Sequence, residues 1–272
     1  MSLASLIGVI AGLGLIVASI ILATPDWTIY FSIASVLMVL GGTIAAAFMS
    51  YHASSVMTAF AALLGMFQKP KSTHEGLNVE ILRLIKWGYL VQQKGLPALE
   101  SEIRSVKADD PLIKYCLELV ITNHHPNELR SMMTTAVEAE FERQMIPVQV
   151  LKSMASNAPA FGMLGTLVGL IAVLGGMGAD PEALMKVIGA GMALALITTL
   201  YGVFFARLIF LPAAHKLQEK EEIERFRNLM MVEGLCMLAD KKTPRFMQDR
   251  LNSFLHPSNH FNIDSQVKGL KA

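Results

Sequence analysis

The sequence has few charged residues, and its first quarter has almost none. Charged residues make up 17% of the 272 residues, whereas a typical soluble domain has about a quarter. No lysine or arginine precedes Lys69, and Asp26 is the only acidic residue in that stretch. This scarcity argues against a soluble globular domain and indicates a membrane protein.

The sequence also lacks the motifs of common enzymes and metal sites. It contains no Walker A motif for a nucleotide and no HExxH motif for a catalytic metal. The histidines His256 and His260 are spaced four residues apart but have no cysteine nearby. This is a weak metal signal, so we expect no metal site and no cofactor. Cys116 and Cys236 are the only cysteines, and we expect them to be reduced thiols.

Four uncharged segments of about 20 residues are each long enough to span a bilayer. They are Leu3–Ala23, Ile29–Met49, Ala158–Ala179 and Val187–Ala206. The other segments show helical periodicity and no strand pattern. We therefore predict an all-α membrane protein with two transmembrane hairpins and a cytoplasmic helical stalk. The first segment lacks the positive n-region of a cleaved signal peptide, so we expect it to remain as a helix.

The basic residues predict the orientation in the membrane. The loops 24–28 and 180–186 together hold one basic residue, whereas residues 50–157 hold eleven and residues 214–272 hold ten. Basic segments stay in the cytoplasm, so we expect both termini there, in a bacterial inner membrane. The predicted divisions are a first hairpin at 1–49, a cytoplasmic segment at 50–157, a second hairpin at 158–213 and a cytoplasmic tail at 214–272.

The predicted spans contain no Asp, Glu, Lys or His. Proteins that couple to an ion gradient usually hold a carboxylate within the membrane. If this chain handles ions, another subunit must supply that carboxylate.

Small residues lie on one face of the third predicted span. Gly162, Gly165 and Gly169 are spaced three and four residues apart, and such a face lets a second helix approach closely. The second helix belongs either to the same hairpin or to another subunit. Helices this rich in small residues can pack in both ways, and the pattern favours oligomerisation.

Three hydroxyls are expected at one depth. At 1.5 Å per residue, Thr166 lies about 13 Å from the cytoplasmic edge, and Thr198 and Thr199 lie about 10 Å from it. They either line an ion path or simply bond the carbonyls of their own helices. Pro159 and Pro212, at the cytoplasmic ends of the last two spans, mark either helix boundaries or kinks, or they form a paired hinge.

Three stretches carry a resemblance to a known family: "APAFGMLGTLVGLIAVLGGMGADPEALM", "ALALITTLYGVFFARLIFLPAAHKL" and "MSLASLIGVIAGLGLI". They resemble the MotA/PomA family, the larger subunit of the bacterial flagellar stator. The resemblance implies a homo-oligomeric ring, five subunits in the family, around a dimer of a single-span partner resembling MotB/PomB. That partner supplies the membrane aspartate, and ion flow turns the ring against the rotor protein FliG, which drives flagellar rotation in motility and chemotaxis.

The resemblance also implies roles for the residues already named. Pro159 and Pro212 match the family's functional prolines. Thr166, Thr198 and Thr199 match the ion-path threonines of sodium-type members. Sodium is therefore the predicted coupling ion, with the proton as the alternative.

The rotor-facing position departs from the family pattern. Gln92 stands where the family has a basic residue, so Lys94 is the nearest positive charge, and "KGLPALE" places Glu100 at the family's acidic position. Arg83 and Lys86 lie a few turns earlier on the same predicted helix. These four charges either face the rotor or form an ordinary solvated helix face.

Two other functions remain open at this point. The first alternative is an ExbB/TolQ-like motor, which energises envelope proteins. Proteins of that family have three spans and an external N-terminus, and the first hairpin predicted here argues against that arrangement. A passive membrane scaffold without ion flux is the third possibility.

Overall fold

The computed structural model describes residues 3–24, 27–65, 74–100, 110–122, 125–177 and 181–262. Helices dominate these ranges, and no β-strand occurs in them. The α-helices are α1 Leu3–Ala23, α2 Ile33–Val36, α3 Gly42–Ser50, α4 Ala53–Gly65, α5 His74–Lys94, α6 Pro111–Ile121, α7 Pro126–Gly175, α8 Pro181–Phe204, α9 Leu211–Ala239 and α10 Pro244–Asn252. Asp26, Lys69, His124 and Asp180 lie outside the described residues.

The first hairpin matches its prediction in α1 and departs from it in the second segment. Helix α1 has the predicted bounds, whereas the second segment is interrupted. A 3-10 turn at Trp27–Tyr30 is followed by non-helical Phe31 and Ser32 before α2 begins. Ser32 caps α2 by accepting a hydrogen bond from the backbone N–H of Ser35. A π-helical turn at Leu37–Gly41 then joins α2 to α3.

The two proline positions are not helix boundaries. Helix α7 runs for 50 residues and contains both Pro147 and Pro159. Helix α8 continues through a π-helical turn at Phe205–Phe210 into α9, where Pro212 is the second residue. The boundary interpretation is therefore wrong for both prolines, because the flanking helical turns continue through each of them. The π-helical turn just before Pro212 alters the backbone hydrogen-bond spacing where proline removes a donor.

Three helices in the described ranges are long and apolar enough to cross a membrane. They are Trp27–Ser50, Pro126–Gly175 and Pro181–Ala239, and the first and third are counted through the short turns that they contain. The last two also extend well beyond the predicted spans into charged sequence.

The chain divides into two compact units. Unit 1 comprises residues 1–69 and 145–219, and unit 2 comprises residues 70–144 and 220–272. Unit 1 contains the predicted spans together with α4. Its core is formed by small and aliphatic side chains from α3, α4, α7 and the start of α9, among them Ala47, Ala59, Leu151, Ala158 and Ala213.

Unit 2 has its own hydrophobic core. Helices α5, α6, α9 and α10 and the first turns of α7 bury large side chains such as Ile81, Leu117, Met133 and Leu235. The helix ends agree with the sequence signals: α5 ends before Gly95, whose φ of 80° suits glycine. Asp110 caps α6 by accepting from the N–H of Ile113 at 3.4 Å.

Both cysteines lie in the core of unit 2. Burial raises the pKa of Cys116 to about 12 and that of Cys236 to about 11. We expect both thiols in the native chain to react with maleimide at pH 7.5 at least ~100-fold more slowly than in denaturant, because they are buried and protonated. Equal rates in the two states would show that unit 2 opens readily.

These thiols also predict how stability depends on pH. Their folded pKa values exceed the ordinary value of 9.0, so the folded chain binds more protons above that pH. The free energy of unfolding should therefore fall as pH rises from about 9 toward 11. Replacing both cysteines with alanine should reduce this slope in thermal unfolding scans.

Candidate functional site

The glycine face of α7 is covered by α8 of the same chain. A Cβ on Gly165 would lie 2.5 Å from the side chain of Thr198, and one on Gly169 would lie 2.5 Å from the carbonyl oxygen of Gly191. A Cβ on Gly162 would lie 3.0 Å from the carbonyl oxygen of Thr198. The structure therefore favours packing within the hairpin for this face, and a direct role between subunits stays a prediction.

The three threonines lie at one level of this hairpin. Thr198 contacts Gly165, the residue before Thr166, and Thr199 follows Thr198 in the chain. Thr198 is fully buried, whereas Thr166 and Thr199 are half-buried. The helix contacts thus bring together the residues that the sequence placed at similar depth.

Each threonine hydroxyl donates to a carbonyl of its own helix. Thr166 donates to Met163 O at 2.6 Å, and Thr199 donates to Ala195 O at 3.3 Å. The hydroxyl of Thr198 lies 2.9 Å from the carbonyl oxygens of both Leu194 and Ala195. Donation uses the hydroxyl proton and leaves the oxygen lone pairs free to bind a cation. Local bonding and an ion-path role are therefore compatible in this hairpin.

Pro159 lies where the backbones of α7 and α8 approach each other closely. A Cβ on Gly202 would lie 2.7 Å from Ala158 O and 3.1 Å from Pro159 Cα. The absence of a side chain at Gly202 therefore lets the two backbones meet at the proline. Movement of α8 at this level would press directly on α7.

The segment from Tyr30 to α3 is joined to α7 and α8 by polar and aromatic contacts. Tyr201 Oη donates a hydrogen bond to Tyr30 O at 2.5 Å. Gly42 lies against the ring of Phe161, which would overlap any Cβ at that position. Sequence reasoning assigned no role to Tyr201, although "TTLYG" places it two residues after Thr199.

The four predicted rotor-facing residues differ in how available their charges are. Lys86, Lys94 and Glu100 are exposed. Arg83 is half-buried, pairs with Glu80 at 3.0 Å and lies over the Trp87 ring at 5.6 Å. At 100° per residue, the three basic positions of α5 fall within an arc of about 80°. Of the three basic residues of α5, the two lysines are therefore the exposed ones.

Arg227 joins three elements of unit 2. Its guanidinium lies 2.8 Å from Glu80 of α5, 2.6 Å from Asp110 at the start of α6 and 2.7 Å from Glu224 of α9. The side chain is 11% exposed. Burial opposes its charge, but Asp110 and Glu80 outweigh that effect and raise the pKa of Arg227. The sequence alone does not single out this residue. Glu80 and Asp110 lie far from it in the chain, and Glu224 is one of several acidic residues just before it.

A second cluster of ion pairs is centred on Glu233 of α9. Arg130 contacts it at 2.5 Å and Arg250 at 2.9 Å. Burial tends to raise the pKa of Glu233, but the two arginines lower it overall. Glu233 thus ties the start of α7 and α10 to α9. No cluster of three or more metal-ligating side chains occurs in the described part of either unit.

Comparison with known proteins decides the family. Residues 104–230 match the model of the MotA/TolQ/ExbB proton channel family. Motility protein A of Borreliella burgdorferi is 32% identical over 272 residues, covering 99% of this chain and 100% of that protein. This chain belongs to the MotA/TolQ/ExbB family. Chemotaxis protein PomA of Vibrio alginolyticus is 27% identical, covering 94% of this chain and 96% of that protein.

Solved structures show the same fold. The chain matches the structure of C. jejuni MotAB with a TM-score of 0.82 at 22% identity, covering 97% of this chain and 100% of that one. It matches the flagellar MotAB stator complex of Bacillus subtilis with a TM-score of 0.76 at 24% identity, covering 97% and 98%. Membership in this channel family accords with the expectation that the chain is not an enzyme.

Proposed function

We propose that this chain is the ring-forming subunit of an ion-driven flagellar stator. The observation that carries the proposal is its similarity to Motility protein A along 99% of its length. That similarity favours the stator over the ExbB/TolQ-like and scaffold alternatives. Restoration of swimming in a stator-deleted host, by this chain with its cognate partner, is the direct test.

The proposed topology has four spans in two hairpins, with both termini in the cytoplasm. Three apolar helices support it, and α1 adds a 21-residue helix without charge. The basic residues of the middle segment and tail support the orientation. In this proposal the divisions at 1–49, 50–157, 158–213 and 214–272 separate the membrane from the cytoplasm, and unit 2 lies wholly in the cytoplasm.

The proposed partner is a single-span subunit resembling MotB/PomB. The predicted spans of this chain lack a carboxylate, so the partner's membrane aspartate would complete the ion path. We propose a ring of five copies around a dimer of that partner, with FliG as the rotor protein. Large exposed apolar side chains on α7 and α8, such as Leu167, Ile171 and Leu196, supply surface for this assembly and for lipid.

The proposed ion path passes Thr166, Thr198 and Thr199. Their lone pairs are neutral oxygen ligands, which suit a hard cation such as Na+. Sodium is the proposed ion and the proton is the alternative. Gly162, Gly165 and Gly169 keep the path narrow by holding α7 against α8, and Pro159 and Pro212 pass movement from this hairpin toward the cytoplasmic helices.

Lys94 and Glu100 form the centre of the proposed rotor-facing surface. Lys86 and Arg83 complete this surface, and Arg83 is held by its ion pair with Glu80. Glu100→Lys should reduce swimming at least several-fold while leaving ion conductance intact, because exposed charges set partner recognition. Torque on a tethered cell and ion influx through the complex measure the two effects.

Glu118→Lys is the matched control, since Glu118 is also exposed and lies in unit 2. It should leave swimming near normal. Equal losses of swimming in the Glu100→Lys and Glu118→Lys variants would show that Glu100 does not belong to the rotor-facing surface.

A further inference from the structure

Two exposed arginines of unit 2 converge on one buried carboxylate, and they form the arginine pair. The side chain of Glu233 in α9 is 10% exposed, whereas those of Arg130 in α7 and Arg250 in α10 are 53% and 55% exposed. Arg130 Nη1 donates to one carboxylate oxygen of Glu233 at 2.5 Å, and Arg250 Nε donates to the other at 2.9 Å. Glu233 therefore fixes two guanidinium groups whose outer parts are open to solvent.

Each guanidinium of the arginine pair uses only part of its donor set. A guanidinium carries five N–H donors in a planar fork. Among the described residues, Arg130 donates through Nη1 alone and Arg250 through Nε alone. The N–H groups on Nε and Nη2 of Arg130, and on both Nη atoms of Arg250, stay open at the surface. Two forks held on separate helices suit carboxylate oxygens, which guanidinium groups bind through parallel hydrogen bonds.

The carboxylates around the arginine pair do not balance its positive charge. The segment 240–250 holds four basic residues, Arg250 included, and two acidic ones, and all six are exposed. Adding Arg130 and subtracting Glu128 and Glu233 leaves a net charge of +1. This surplus favours a partner that brings carboxylates.

The arginine pair lies at one end of unit 2. Helices α7 and α9 run antiparallel there, because Glu138 pairs with Arg225 at 2.8 Å and Arg130 pairs with Glu233. The unit contains α7 up to residue 144 and α9 from residue 220. At 1.5 Å per residue, Arg130 and Glu233 lie about 20 Å along their helices from those points.

Helix α5 brings Lys94 to the same end. Glu80 pairs with Arg227 at 2.8 Å, near the middle of α9. Two turns later, a Cβ on Gly88 would lie 2.9 Å from Met247 Sδ of α10, the helix that carries one member of the arginine pair. Lys94 follows about 9 Å further along α5. The arginine pair and the proposed rotor-facing charges therefore belong to one end of the unit.

We propose that the arginine pair is a second docking point for the rotor protein, where its open N–H groups bind acidic side chains of that protein. The charges already proposed as rotor-facing lie on α5 and in the turn after it, whereas the arginine pair adds the ends of α7 and α10. This inference rests on the proposed stator function and extends its rotor-facing surface.

The test is stall torque in tethered cells of a stator-deleted host that expresses the chain with its cognate partner. Arg130→Gln and Arg250→Gln each remove one fork and leave Glu233 the other arginine. Each should lower stall torque about 2- to 5-fold, because exposed charges set partner recognition. Ion influx through the complex and its amount in the membrane should stay unchanged. Arg250→Lys, which keeps the charge but not the fork, should fall between Arg250→Gln and the parent.

A photo-crosslinking residue identifies the occupant of the arginine pair. With p-benzoylphenylalanine at position 250, illumination of swimming cells should attach the chain to the rotor protein. In addition, the torque lost in Arg250→Glu should return when one acidic residue of the rotor protein is changed to lysine. Crosslinking to a second copy of this chain, or to neither protein, would overturn the proposal.

Arg143→Gln is the matched control for the glutamine variants. Arg143 is also an arginine of α7, is 63% exposed and pairs with Glu140 at 2.6 Å. It lies about 20 Å from Arg130 along the helix, so its loss should leave the parent torque. Parent torque in both variants of the arginine pair, or a loss that only follows loss of the complex from the membrane, would contradict the docking role. Failure of the unmodified chain to restore swimming would instead contradict the stator function.

Discussion

Replacing Arg227 with alanine is expected to lower the free energy of unfolding of unit 2 by about 3 kcal/mol, because Asp110 loses its arginine and Glu80 keeps only its pair with Arg83. Glu80 and Asp110 are 16% and 20% exposed. Both contact the guanidinium of Arg227. Loss of this contact should separate α5, which carries Lys94, from α9. Thermal unfolding of the purified complex and swimming in a stator-deleted host measure the effect.

Arg225 provides the comparison for this substitution. It lies two residues away and pairs with Glu138 at 2.8 Å, but it is 39% exposed. A solvent-exposed pair contributes about 0–1 kcal/mol, so Arg225→Ala should melt close to the parent and keep most motility. Similar melting temperatures for the two variants would contradict the role assigned to Arg227.

Gly165→Ala is expected to disrupt the hairpin of α7 and α8, although alanine favours a helix more than glycine does. The added methyl group would lie 2.5 Å from three atoms of Thr198, which is itself fully buried. Overpacking of this kind typically costs about 1–3 kcal/mol. Gly165→Leu should prevent accumulation of the folded chain altogether, as measured by fluorescence-detected size exclusion in detergent.

Gly189→Ala tests whether the effect of Gly165→Ala comes from the contact of the added methyl group with Thr198 or from the loss of a glycine as such. Gly189 lies in α8 and is exposed, and no atom lies within 4 Å of the place that an added methyl group would take. This variant should accumulate as well as the parent. Normal assembly of Gly165→Leu complexes would refute the packing of α7 against α8 and, with it, the position of Thr198.

Much of the fold follows from local signals in the sequence. The uncharged run Leu3–Ala23 forms α1, Gly95 follows the end of α5, and Asp110 caps α6. Each of these depends on neighbouring residues alone: length without charge, a positive φ, or a side chain that accepts a backbone N–H. Such features need no knowledge of the rest of the chain.

Other features depend on contacts that no local pattern contains. Pro159 lies inside a helix because the turns on both sides continue and Gly202 packs against it, so proline alone was a poor boundary signal. The glycine face has the same spacing whether its neighbour is in the same chain or another one. The ion pairs of Arg227 with Glu80 and Asp110 arise only when distant segments meet.

Swimming speed in a stator-deleted host that carries this chain and its cognate partner, with external sodium varied at constant pH, is the most direct test of the stator function. We expect swimming to be restored, its speed to rise with sodium, and swimming to cease without sodium. Restored swimming that ignores sodium would keep the stator function and make the proton the coupling ion. No swimming under either condition, from a complex shown to assemble, would contradict the stator function itself.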